Sequence, residues 1–106
     1  MPKYLFRSRY NPEGAQGLLR EGGTGRRAAA QRTIESLGGR IESFYYAFGG
    51  TDLFTIAELP DNASAAAINL VIAATGTISS ETVVLLTPEE VDEAAAKQPD
   101  FRRPGA

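Results

Sequence analysis

The segment Arg40-Ile41-Glu42-Ser43-Phe44-Tyr45-Tyr46-Ala47-Phe48-Gly49-Gly50-Thr51-Asp52-Leu53-Phe54-Thr55-Ile56-Ala57-Glu58-Leu59 decides the fold. Its first half alternates: Phe44, Tyr46 and Phe48 fall on one side, and Ile41, Ser43, Tyr45 and Ala47 on the other. Side chains with period two belong to a strand. Gly49-Gly50 offers a tight turn, and Asp52–Leu59 is a second run of strand-forming residues. Two such runs about a glycine pair read as a β-hairpin over Arg40–Phe48 and Asp52–Leu59.

Upstream of the hairpin the pattern changes to helical. Ala30, Ile34 and Leu37 lie at i, i+4 and i+7, one face of a helix restarting near Thr24, and Gly38-Gly39 stops it. Before it, Asn11 and Pro12 supply a cap and a first helical position for a short helix through Leu18-Leu19 to about Arg20. Gly22-Gly23 breaks that helix. Lys3–Tyr10 reads as a first strand. Downstream, Pro60-Asp61-Asn62 ends the hairpin and opens a helix over Ala63–Ala74. Ser64, Ile68, Val71, Ile72 and Thr75 share one of its faces, and Gly76 closes it. Ile78–Leu86 is a fourth strand. Thr87-Pro88-Glu89-Glu90 has the residues of a capping box for a last helix to about Lys97.

The order β-α-β-β-α-β with an added helix is the split βαβ, ferredoxin-like arrangement. It predicts an α+β fold: a four-stranded antiparallel sheet with helices on one face. One domain over residues 1–97 and a flexible tail over 98–106 are expected, within the size range of a single core.

Helices on one face leave the other bare, yet several strands are apolar on both sides. Tyr4 and Phe6 oppose Leu5; Phe54 and Ile56 oppose Leu53, Ala57 and Leu59; Ile78, Val84 and Leu86 oppose Val83 and Leu85. A half-exposed antiparallel sheet instead alternates apolar with polar. The expected cover is the same face of a second copy, giving a homodimer or higher homo-oligomer. Burying a few hundred Å² per subunit at roughly 25 cal/mol per Å² gives a gross gain of about 10 kcal/mol before association costs. The alternative cover is the last helix and the tail, folded back.

Composition narrows the chemistry. The 106 residues include no Cys and no His, which removes disulfides, thiolate sites, imidazole bases and His-ligated metals. No metal or cofactor is expected. The net charge of -2 divides into +5 for residues 1–40 and -7 for residues 41–106. Such a split marks either an anion-binding half or two halves that attract each other. A nucleic-acid binder is basic overall, so no nucleic-acid partner is expected. Lys3, Arg7 and Arg9 interrupt any apolar run at the N-terminus, and Ala63–Gly76 is too short and polar to span a bilayer. A cytoplasmic protein without membrane contact is the expectation.

Two candidate sites emerge. The first is the turn Arg20-Glu21-Gly22-Gly23-Thr24-Gly25-Arg26-Arg27. A glycine-rich helix start with Arg20, Arg26 and Arg27 around it reads as an anion site at Gly22, Gly23 and Thr24, or as a helix break whose arginines pair with carboxylates. The second is Asp52 beside Tyr46. A carboxylate at an apolar sheet surface is a candidate base, with Tyr10, Tyr45 or Tyr46 orienting a phenolic or carbonyl substrate; alternatively Asp52 caps its own turn. Glu89, Glu90, Asp92 and Glu93 are read as first-turn acids suited to a helix dipole, not as metal ligands.

These segments, together with Ser36-Leu37-Gly38-Gly39, Phe44 to Asp52 and Leu59-Pro60-Asp61-Asn62-Ala63-Ser64-Ala65-Ala66, resemble the GYD-domain family of small bacterial proteins over roughly Tyr4 to Asp92. The family's Gly-Tyr-Asp triplet stands here as Gly50-Thr51-Asp52, without the aromatic. The resemblance implies a dimeric α+β barrel type of fold and no established activity. Related barrels include cofactor-independent monooxygenases and muconolactone-isomerase-like enzymes, an analogy of fold alone. The expectation is a self-associating binding or assembly module for a small apolar or anionic molecule, an anionic or aromatic ligand among them. The alternative is a cofactor-independent isomerase or monooxygenase-like enzyme using Asp52 and a tyrosine.

Overall fold

The computed structural model describes all 106 residues. The chain runs β1 (Lys3–Tyr10), α1 (Pro12–Glu21), α2 (Gly23–Ser36), β2 (Arg40–Tyr46), β3 (Leu53–Glu58), α3 (Asn62–Thr75), β4 (Ile78–Leu85) and α4 (Pro88–Ala96). The strands form one antiparallel sheet in the order β2-β3-β1-β4. This is the expected ferredoxin-like α+β architecture, with the first helical region broken in two.

Local chemistry accounts for the boundaries. Asn11 caps α1 by accepting the Gly14 N–H at 2.8 Å, and Pro12 follows at the first position. Asp61 caps α3 through Ser64, and Gly76 ends that helix in the left-handed region at φ 71°. Thr87 and Glu90 close a reciprocal capping box on α4. Gly22, at φ 81°, makes the break between α1 and α2.

The helix-facing side of the sheet carries the core. Tyr4, Phe6, Ala57 and Leu59 pack with Ile34 of α2 and with Ala65 and Ile68 of α3. α2 lies over β2 and α3 over β4. α1 packs on α2 and on β1. Its start is tied to the turn after α3: Asn11 N donates to Thr77 O at 3.0 Å, and Asn11 Nδ2 to Gly76 O at 2.6 Å.

The hairpin departs from simple alternation in two places. The β2–β3 register shifts between Ile41 and Ser43, so Ile41 opposes Ala57 while Phe44 opposes Thr55. This bulge places Ile41 on the core side with Phe44, not with Ser43 and Tyr45 as the period-two reading has it. β2 also ends at Tyr46, and Phe48 stands fully exposed in the connecting loop.

The opposite face of the sheet has no helix on it. Leu5 pairs with Ile56 on one side and Val83 on the other, forming an apolar row flanked by Phe54 and Leu85. Every residue of α4 and of the segment after it is exposed, so neither folds back over this face. The radius of gyration of 16.8 Å, against about 13 Å for a closely packed chain of this length, reflects that projecting end. No helix is long and apolar enough to cross a membrane.

Candidate functional site

Between α2, α3 and the sheet lies a cavity of about 250 Å³. Its sheet side is Phe6, Ser8 and Tyr10 of β1 with Phe44, Leu53 and Thr55 of the hairpin. α2 supplies Arg26, Ala30, Thr33 and Ile34; α3 supplies Ile68, Val71, Ile72 and Thr75. Thr77 and Ile78 complete it where β4 begins. The walls are mostly apolar, and Arg26 is the only charged group among them.

The cavity lies where β1 and β3 turn small residues, Ser8 and Thr55, toward the helices. Tyr4 and Phe6 fill the space under the helices at one end of β1, and the next inward residue is Ser8. Ser8 and Thr55 are buried polar residues; Ser8 Oγ bonds Ser80 Oγ at 3.3 Å. Small side chains there leave volume that neither α2 nor α3 fills.

Tyr10 stands at the mouth. Its backbone N–H donates to Asp52 Oδ2 at 2.9 Å, while its ring lines the cavity. Its hydroxyl oxygen is buried and has no hydrogen-bond partner. Burial, reinforced by the Tyr46 phenol, pushes the Tyr10 hydroxyl up to about 12, although the Arg26 charge pulls the other way. The group is therefore a neutral donor at every physiological pH.

Arg26 is partly covered, and its ion pair with Glu21 is loose, with Nη1 to Oε1 at 3.7 Å. Tyr46 sits at the same helix start. Its hydroxyl donates to Gly23 O at 3.0 Å, and its ring lies so close to Gly23 that an added Cβ would come 3.1 Å from Cε2. Phe44 meets Tyr46 edge to face at 5.4 Å between centroids. Tyr46 thus fastens the α1–α2 junction to β2, and the glycine at position 23 allows that approach.

The structure brings Tyr10, Arg26, Tyr46 and Asp52 into one neighbourhood. Asp52 is half-buried and stitches three strands: its N–H donates to Ser8 O at 2.9 Å and its carbonyl accepts the Ala47 N–H at 2.8 Å. With its carboxylate on Tyr10 N–H, it is placed as a cap, and it is not among the residues lining the cavity. Tyr45 projects from the opposite face of β2 and is 72% exposed, so it does not share a space with Tyr46. Arg20 lies in the last turn of α1, exposed, and Thr24 is exposed in the first turn of α2. Arg27 borders a separate surface depression with Gln31 and Tyr45. Gly22 and Gly23 shape the helix break. Of the arginines around the glycine turn, only Arg26 reaches the cavity.

The hydroxyl-bearing positions Ser8, Thr33, Thr55, Thr75 and Thr77 were missed by reading the sequence. For Ser8 the sequence carries one signal, a polar residue at a strand position between the large apolar or aromatic Phe6 and Tyr10.

Among curated proteins and among solved structures, none matches the chain. The model of the GYD domain matches residues 4–95, well over half of the chain. That span takes in all of the sheet but Lys3, the cavity and nearly all of α4, and the protein belongs to the GYD-domain family.

Proposed function

We propose that this chain is a self-associating module that binds a small molecule between its helices and its sheet. The observation that carries the reading is the cavity of about 250 Å³, apolar in most of its walls, with one cation among them and with Tyr10, whose buried hydroxyl has no partner, lining it. Concave, mostly apolar sites with a few convergent polar groups are where small ligands bind. The volume lies just below the roughly 300–1,000 Å³ typical of drug-sized ligands, so the occupant is small. Asp52, spent on the Tyr10 N–H and outside the cavity, favours binding over catalysis by that carboxylate.

Self-association rests on the bare face. Leu5, Ile56 and Val83 form its apolar centre. Around them stand charges of both signs: Lys3 with Glu42, Arg7 with Glu81, and Arg40 with Glu58. A two-fold axis through this face can set each charge against its opposite on a second copy. The occupant of the bare face is therefore a second copy of the chain.

Methyl NMR with a library of small aromatic and aliphatic compounds tests the binding reading. Shifts at Ile68, Ile72 and Ile78, abolished by filling the cavity with Ala30→Phe, are expected; a library that moves none of them removes it. Sedimentation at micromolar concentration tests the assembly. A dimer that Ile56→Lys converts to monomer is expected, and a wild-type monomer of 11.3 kDa overturns it.

A further inference from the structure

The cavity's polar groups are not scattered. Arg26 lines the cavity from the first turns of α2, and Tyr10, whose hydroxyl is buried, lines it from the end of β1. All other lining side chains are apolar or carry neutral hydroxyls.

A buried hydroxyl without a partner costs on the order of 1–3 kcal/mol, so such groups are rare unless something else satisfies them. Tyr10 Oη is the one buried side-chain polar atom of this chain in that condition. Arg26 has donors to spare, since its only ion partner, Glu21, is held at 3.7 Å. A donor that stays protonated and a guanidinium, both bordering an apolar space, define what is absent between them. It is an acceptor with negative charge, attached to an apolar body.

We infer that the cavity selects small apolar carboxylic acids, with the carboxylate received by the Arg26 guanidinium and the Tyr10 hydroxyl and the hydrocarbon part lying among Phe6, Leu53, Ile68 and Ile72. The inference rests on the small-molecule reading above and names its ligand class. Charge balance favours a monoanion. The single charge of Arg26 matches that of one carboxylate, whereas a phosphate monoester, with nearly two charges, exceeds it further beside Glu21. Arg27 gives no second cation, because it borders the other depression. The small volume sets the body at about one ring or a short chain.

The experiment is calorimetry and methyl NMR on the full chain with phenylacetate, cyclohexanecarboxylate and octanoate, each beside its neutral amide, and with phenyl phosphate. At least one acid is expected to bind about tenfold or more tighter than its amide, as hydrogen bonds to a charged group imply. Arg26→Gln and Tyr10→Phe are each expected to weaken the acid by about tenfold and the amide, which keeps a neutral acceptor but carries no charge, by clearly less. Both variants are compared with wild type by circular dichroism and urea midpoint, which report an intact fold. Acid and amide binding equally, or an acid indifferent to Arg26→Gln, overturns the carboxylate inference while cavity binding stands. Phenyl phosphate binding more tightly than every acid overturns it in favour of phosphate. If no acid and no amide moves the Ile68, Ile72 and Ile78 methyls, the inference and the small-molecule reading fall together.

Discussion

Alanine at Gly14 and alanine at Gly17 are the same substitution in the same helix, and the structure assigns them opposite signs. Helix propensity alone favours both, by about 0.5–1 kcal/mol for a helix-interior position. At Gly17 nothing approaches the new methyl except the tip of the Arg20 side chain, at 4.0 Å. The gain is realised there, and the Tm rises by about 2–8 °C. At Gly14 the methyl would lie inside 3.0 Å of the Thr77 carbonyl oxygen and 3.2 Å from Tyr10 Cδ1. An ordinary C···O approach is about 3.3 Å or more, and a backbone carbonyl cannot swing aside as a side chain can. That carbonyl also accepts the Asn11 N–H at 3.0 Å, so α1 must lift and strain this bond. Overpacking costs about 1–3 kcal/mol and a weakened hydrogen bond about 1 kcal/mol more. Against the propensity gain, Gly14→Ala loses about 1–3 kcal/mol net, a Tm drop of at least about 4 °C. Thermal and urea unfolding followed by circular dichroism measures both variants. They are compared at one protein concentration, because the proposed association would make the Tm concentration-dependent. A Gly14→Ala protein as stable as wild type, or more so, would refute the close packing of α1 against the start of β4.

Leu59 is fully buried, and Leu59→Ala is expected to cost about 2–5 kcal/mol, while Leu70→Ala, at an exposed position, stays within about 0.5 kcal/mol; urea midpoints separate the two. Asn11→Ala removes both the cap on Gly14 and the bond to Gly76 O, for about 2 kcal/mol, whereas Asn11→Ser keeps the cap and loses about half; equal losses would show that the cap contributes nothing. The Tyr10 hydroxyl titrates at about 12 in the folded chain, above its ordinary value of 10.0, so between these values the folded state holds a proton that the unfolded state has released. Stability is therefore independent of this group below pH 10 and falls as pH rises toward about 12, with buried Tyr4 and the partly covered Tyr46 acting in the same direction. Tyr10→Phe flattens that alkaline slope in urea midpoints taken across the window, and an unchanged slope would show that the Tyr10 phenol is not shielded from water.

Much of the element order could be read from local signals. Asn11-Pro12, Asp61 and Thr87-Pro88-Glu89-Glu90 open helices because their side chains satisfy backbone N–H groups within three residues. The βαββαβ order predicted a face without a helix, and Leu5, Ile56 and Val83 stand on it. Period two failed at Glu42, because a bulge adds a residue without leaving a mark in the residue types. It failed again at Phe48, whose aromatic character argued for a strand that ends two residues earlier.

Candidate site residues were legible as types and not as partners. Tyr10, Arg26, Tyr46 and Asp52 were all singled out, yet the sequence paired Asp52 with Tyr46, whereas the fold bonds Asp52 to Tyr10 and Tyr46 to Gly23. Which of three arginines turns inward, and whether Ser8 and Thr55 leave space or fill it, depends on contacts between residues tens of positions apart. Caps, glycine breaks and apolar alternation act over a few residues, so the chain by itself determined the strands, helices and order of this protein. The cavity and its lone cation arise only when two helices and four strands meet, because enclosed volume belongs to no single element.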